Sequence, residues 1–250
     1  GYNANEVVKQ IKTVLANHKI KEGYSFRFGG EQEEMAKSFS FLVRALLIAV
    51  AAIFLILVSQ FNSAIKPFII MCSVLFSLSG VFLGMTLAGD DFVIIMTGIG
   101  IISLAGVVVN NAIVLIDYTE LLRQRRRKEL NIADDEYLPD KEFVKCLVDA
   151  GFTRLRPVLL TAITTVLGLI PLATGLNIDF FGLYAYFKPD IYWGGENADF
   201  WGPMAWTVIY GLTFATFLTL VIVPVMFLLS EKLARFFQAL VGKKKQVAMV

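Results

Sequence analysis

The sequence is short of the residues on which most site chemistry depends. His18 is its single histidine, which excludes a site built from a histidine cluster. Its two cysteines sit in different settings, Cys72 within an apolar run and Cys146 in a polar stretch, and this argues against a disulfide framework. Charged residues make up only 18% of the chain and the net charge is +2. The basic residues gather beside apolar runs, a pattern suited to lipid headgroups and not to a nucleic-acid surface. A membrane enzyme would need paired intramembrane acids, a Ser-His pair or a zinc motif, and the sequence has none of them. Gly98-Ile99-Gly100 lacks the third glycine and the preceding strand of a dinucleotide fingerprint.

Apolar surface is what the sequence has in excess. Hydrophobic residues account for 56% of 250 positions and the mean hydropathy is +0.66, against about 45–50% apolar content in soluble domains. They gather into runs of about 20 residues, the length that carries a helix across a hydrocarbon core about 30 Å thick.

Five such runs set the organisation: residues 41–61, 68–88, 92–118, 157–175 and 204–229. The first carries Arg44 near one end, where its side chain can snorkel to the headgroups. Asn62 to Pro67 forms a turn. The second has Gly80 and Gly84 at the four-residue spacing that lets helices approach closely, a weak signal read as packing. The third places the pair Asn110-Asn111 in mid-span. Pro157 suits the first turn of the fourth helix, because its missing N–H would be unpaired there anyway, and Pro171 predicts a kink.

The remaining stretches are polar or aromatic. Residues 4–17 place Val7, Val8, Ile11, Val14 and Leu15 at helical spacing, and Tyr24, Phe26 and Phe28 alternate as in a half-buried strand that stops at Gly29-Gly30. A helix and a strand in 30 residues bury too little to stand alone, so 1–30 reads as the end of a larger α/β domain, with 31–40 its connector. The chain is therefore expected to be cut from a longer polypeptide. Residues 119–156 read as a polar, interfacial or soluble helical loop, expected on the cytoplasmic side, and 176–203 as an aromatic-rich periplasmic loop at a membrane surface with Tyr184, Tyr186, Tyr192, Trp193 and Trp201. Residues 230–250 are a basic tail.

Charge sets the expected orientation. Lys66, the 123–128 cluster, Arg154, Arg156, Lys232, Arg235 and Lys243 to Lys245 fall on one side, which the positive-inside rule makes cytoplasmic. Asp90-Asp91 and the 176–203 loop, where Lys188 is the only base among Asp179, Asp190, Glu196 and Asp199, fall on the other. The N-terminus is thus expected in the periplasm and the C-terminus in the cytoplasm of a bacterial inner membrane.

Three stretches are specific in their order: Gly106-Val-Val-Val-Asn-Asn-Ala-Ile-Val-Leu-Ile-Asp-Tyr118, Arg154-Leu-Arg-Pro-Val-Leu-Leu-Thr-Ala162, and Pro224-Val225. Over nearly the whole chain they resemble the second half of the hydrophobe/amphiphile efflux branch of the resistance-nodulation-division superfamily. The resemblance implies a mainly α fold: a polytopic bundle of five transmembrane helices, the eighth to twelfth of twelve, behind a short α/β piece of a periplasmic porter subdomain. It implies a secondary transporter and not an enzyme, exporting hydrophobic or amphiphilic compounds such as drugs by proton antiport, with protons as the coupling ion and no cofactor or metal. The implied partners are the bilayer, the missing N-terminal half, two further copies in a homotrimer, a periplasmic adaptor and an outer-membrane channel.

In such pumps an intramembrane aspartate pair from the first half works with polar partners from the second. Carried over by motif, those partners are Asn110, Thr161 and Arg154, with Asn111 beside them. Pumps close to the best-known drug exporters place a lysine where Asn110 stands, so an aspartate-lysine ion pair cannot switch here, while the amide is able to hydrogen-bond a protonated or ionised carboxyl. Plainer readings stand beside these: Asn110-Asn111 as packing glue, Thr161 bonded to its own helix, Arg154 as an interfacial anchor, and Asp117 as a structural residue in reach of water. A metal-exporting branch is the alternative within transport. Met71, Met85, Met96 and Met226 are scattered singly, which favours lipophilic cargo. A structural scaffold gives no reason to set two amides in mid-bilayer.

Overall fold

The computed structural model describes residues 4–16, 30–133, 138–178, 184, 187 and 191–247. Helix α1 spans Ala4–Ala16, α2 Glu31–Phe61, α3 Ile65–Ala88, α4 Ile94–Glu129, α5 Asp140–Thr174 and α6 Glu196–Val247. Two short strands, β1 (Leu176–Ile178) and β2 (Ile191–Trp193), pair antiparallel between α5 and α6, with Asn177 opposite Tyr192. Among the described residues five helices, α2 to α6, are long and apolar enough to cross a membrane. The chain is thus mainly helical and polytopic, as expected.

The chain divides at Lys37/Ser38 into two compact units. In the first, α1 has the expected helical spacing, and Val7, Ile11 and Val14 are exposed along it. The expected strand at Tyr24, Phe26 and Phe28 lies outside the described residues, as does His18. At the start of α2, Lys37 pairs with Glu33 at 3.0 Å and Glu34 at 3.4 Å, the spacing at which side chains on a helix surface meet.

In the second unit, α6 is the central element: it packs against α3, α4 and α5. Small residues make this possible. A Cβ on Gly80 would overlap Phe214, one on Gly84 would overlap Tyr210, and one on Gly211 would overlap Leu104. Close approach through small residues supplies the dispersion contact that replaces a hydrophobic driving force between helices in lipid. The core runs in two clusters. One joins Ile69, Ile70, Ile116, Phe143 and Phe227, and the other joins Val81, Leu104, Val108 and Leu212. Tyr210 closes the loop after α3 by donating to Asp90 at 2.7 Å.

The helices overrun the expected spans. The connector at 31–40 is not a separate segment, because α2 runs unbroken from Glu31 through Arg44, which folds back on Ser40 at 3.0 Å. Helix α4 continues to Glu129 and α5 begins at Asp140, so the polar stretch 119–156 is mostly helix. Pro157 therefore does not open a helix, as its sequence position suggested, but lies inside α5. The acidic first turn, Asp140 and Glu142, starts that helix with carboxylates at the positive end of the dipole. The helix also continues through Pro171, to a left-handed cap at Gly175 (φ 70°) whose N–H bonds the Pro171 carbonyl.

Candidate functional site

Asn110 and Asn111 sit in the middle of α4, and the helix sends them in different directions. Consecutive residues differ by about 100° around a helix of 3.6 residues per turn. Asn111 faces inward and is only 7% exposed, while Asn110 is exposed. Thr161, one turn beyond Pro157 on α5, donates to Asn111 Oδ1 at 3.3 Å and to the Val158 carbonyl at 2.9 Å. The hydroxyl proton is thus shared between its own helix and α4, and an inter-helix polar contact forms next to Asn110.

Arg154 lies two turns before Thr161 on α5. Its guanidinium carbon stands 4.2 Å from the centre of the Tyr118 ring, a cation–π distance. Among the described residues its Nε is buried without a hydrogen-bond partner. The structure therefore brings Asn111 to Thr161 and Arg154 to Tyr118, and leaves Asn110 on the open side of α4.

That open side has a pattern. Ser103, Gly106, Asn110, Asp117 and Gln124 are exposed and recur at helical spacing, whereas Leu104, Val108, Ala112, Leu115 and Ile116 are buried. A Cβ on Gly106 would meet nothing within 4 Å. On α5, Thr161 and Thr164 are exposed and Gly168 is equally open. A face of small and polar residues at mid-span is what a tightly docked helix needs and what lipid tails do not.

A second polar system went unnoticed in the sequence. At the basic end of the bundle Lys66 approaches Glu120 at 3.1 Å, Arg123 approaches Glu120 at 3.6 Å, and Arg123 reaches Glu231 at 2.9 Å. Arg235 continues the chain to Glu231 at 3.6 Å and to Asp140, and donates to the Leu138 carbonyl at 2.7 Å. Lys66, Arg123 and Arg235 are balanced by Glu120, Glu231 and Asp140, and together they join α3, α4, α5 and α6. Arg123 also lies over the Phe143 ring, at 5.7 Å. The signal for this system was that the 123–128 cluster is flanked by acids, Glu120 and Glu129; its distant partners are set by tertiary packing. Arg126 belongs to a neighbouring pair of contacts, with Glu142 at 2.7 Å and Glu129 at 2.6 Å.

Comparison with known proteins bears on what this arrangement serves. The sequence profile of the AcrB/AcrD/AcrF family matches residues 1–231. The swarming motility protein SwrC of Bacillus subtilis (strain 168) is 35% identical over 234 residues, covering 94% of this chain and 19% of that protein. The cobalt-zinc-cadmium resistance protein CzcA of Cupriavidus metallidurans is 28% identical, covering 86% of this chain and 17% of that protein. The multidrug resistance protein MdtC of Pantoea ananatis is 27% identical, covering 93% of this chain and 19% of that protein. A crystal structure of a heavy metal efflux pump superposes with a TM-score of 0.66 at 26% identity, covering 93% of this chain and 20% of that one. The chain thus spans no more than about a fifth of the length of these relatives. It belongs to the AcrB/AcrD/AcrF family of the resistance-nodulation-division superfamily, whose members are efflux transporters of the secondary type and not enzymes.

Proposed function

We propose that this chain supplies the polar partners of an intramembrane proton relay in an exporter of hydrophobic and amphiphilic compounds, driven by proton antiport. The observation that carries the reading is the open stripe on α4 with Asn110 at its centre. An amide facing hydrocarbon is costly, and a carboxyl on a docked helix would remove that cost by taking its hydrogen bond. The neutral amide bonds either form of a carboxyl, whereas an ammonium would favour only the ionised one. Thr161 and Arg154 lie on the adjoining helix, Thr161 tied to Asn111 and Arg154 seated on Tyr118. Asn111 holds the α4–α5 contact in place.

The basic end, with Lys66 and the 123–128 cluster, is assigned to the cytoplasm and the N-terminus to the periplasm of an inner membrane. The whole protein works in this reading as a homotrimer with a periplasmic adaptor and an outer-membrane channel. Lipophilic cargo is favoured over metal ions because Met85 and Met96 are buried in helix packing. Among the described residues no group of three His, Cys, Asp or Glu gathers to hold a metal. The similarity to metal exporters supports the second reading, cation export, and one assay separates them. Cells expressing the full-length polypeptide should gain resistance to lipophilic cations and not to cobalt or zinc. Asn110→Leu should abolish export while the protein still inserts in the membrane; undiminished export by that variant would overturn the assignment.

A further inference from the structure

The ribbon formed by β1 and β2 is too short to be stable on its own in water, where even isolated hairpins are marginal. It is nonetheless held at its base. The Asn177 side chain donates to the Gly175 carbonyl at 2.9 Å and to the Gly194 carbonyl at 2.6 Å, and the Gly194 N–H donates back to Gly175 at 2.9 Å. Gly175 and Gly194 have φ of 70° and 89°, in the left-handed region open to glycine at no steric cost. A Cβ on Gly175 would press on Ala198 at 2.7 Å and on the Gly194 backbone at 2.9 Å, so the base of the ribbon sits tightly against the first turn of α6.

The rest of the ribbon faces outward. Ile191, Tyr192 and Trp193 are 57%, 52% and 68% exposed. Phe200 and Trp201, on the first turns of α6, are exposed as well and meet edge to face at 5.1 Å. The ribbon starts two residues after α5 ends at Thr174, and only Gly194 and Gly195 separate it from α6 at Glu196. Both helices are spans, so a segment joined to them this closely lies at headgroup depth. Tyr and Trp are enriched at that depth, where the ring sits in an apolar layer and the polar atom meets water.

We infer that the β1–β2 ribbon is an interfacial anchor that beds Tyr192 and Trp193 among phospholipid headgroups and fixes the depth of α5 and α6. Asn177 is its positioning residue: it touches no lipid but holds the ribbon to the helix ends. The anchor contributes whether or not the relay assignment holds, since it rests only on the spans and the ribbon. The test uses the full-length polypeptide in its own membrane, with p-benzoylphenylalanine in place of Trp193. Irradiation followed by mass spectrometry reads which molecule the probe attacks. Phospholipid adducts are expected, and their loss on adding Asn177→Ala at unchanged membrane level. Adducts to protein instead would show that a protein surface covers the ribbon, and either this or the absence of lipid adducts would overturn the anchor. Lipid adducts undiminished by Asn177→Ala would overturn the role of that residue.

Discussion

At the residue scale, one position of sequence separates two different environments. Asn111 is buried against Thr161, and Asn110 looks out of the bundle. The adjacent amides are alike in hydropathy, and which of them turns inward is set by how α4 packs on α6, as where Gly211 admits Leu104. The motif that marked Asn110, Thr161 and Arg154 was legible; the seat of Arg154 on Tyr118 and the ionic chain around Glu231 were not, since their partners are far apart in sequence. Glu231 is 7% exposed and faces two arginines. Glu231→Gln leaves that pair of cations short of a counter-charge, and breaking a buried ion pair on one side costs about 3–5 kcal/mol. A clear fall in thermal unfolding temperature in detergent is expected. Arg126→Ala, which removes a more exposed pairing screened by solvent, should leave that temperature nearly unchanged and serves as the control.

At the element scale, all five spans were legible because each apolar run reaches the length a bilayer demands. Their ends were not. Charged residues mark where a helix leaves hydrocarbon, not where its hydrogen bonding stops, so α4 and α5 continue into the polar stretch as far as Glu129 and from Asp140. Pro157 misled for a related reason: the turn before it was already helical, and a proline removes only one donor from a helix supported on both sides. Two glycines give contrasting expectations. Gly84→Leu would drive a side chain into Tyr210 between α3 and α6 and destabilise the bundle by about 1–3 kcal/mol, as overpacking does. Gly106→Leu meets open space and should leave the packing of these helices unchanged. In the full-length polypeptide, however, it should cut export sharply by blocking the helix that docks on the α4 stripe. Unfolding and export assays on the two variants together check both statements.

At the scale of the whole molecule, the spans are unevenly covered by one another. Helices α3 and α4 are half buried across their spans, whereas α2 and α5 remain largely open. The family's full-length members are several times longer than this chain, and the polar stripe on α4 is where added helices are expected to complete it. In the proposed function Asn110 meets a carboxyl-bearing helix and not lipid. The most direct measurement is cysteine cross-linking in the full-length polypeptide, with Cys72 and Cys146 replaced by serine and Asn110→Cys paired with single cysteines beside the mid-span acids of the preceding half. A short bifunctional maleimide should join the two halves at that depth, in a product that appears after the intervening chain is cleaved. Absence of any such product, with the thiol introduced by Asn110→Cys labelled by a lipid-embedded reagent instead, would show that Asn110 faces lipid and overturn the relay.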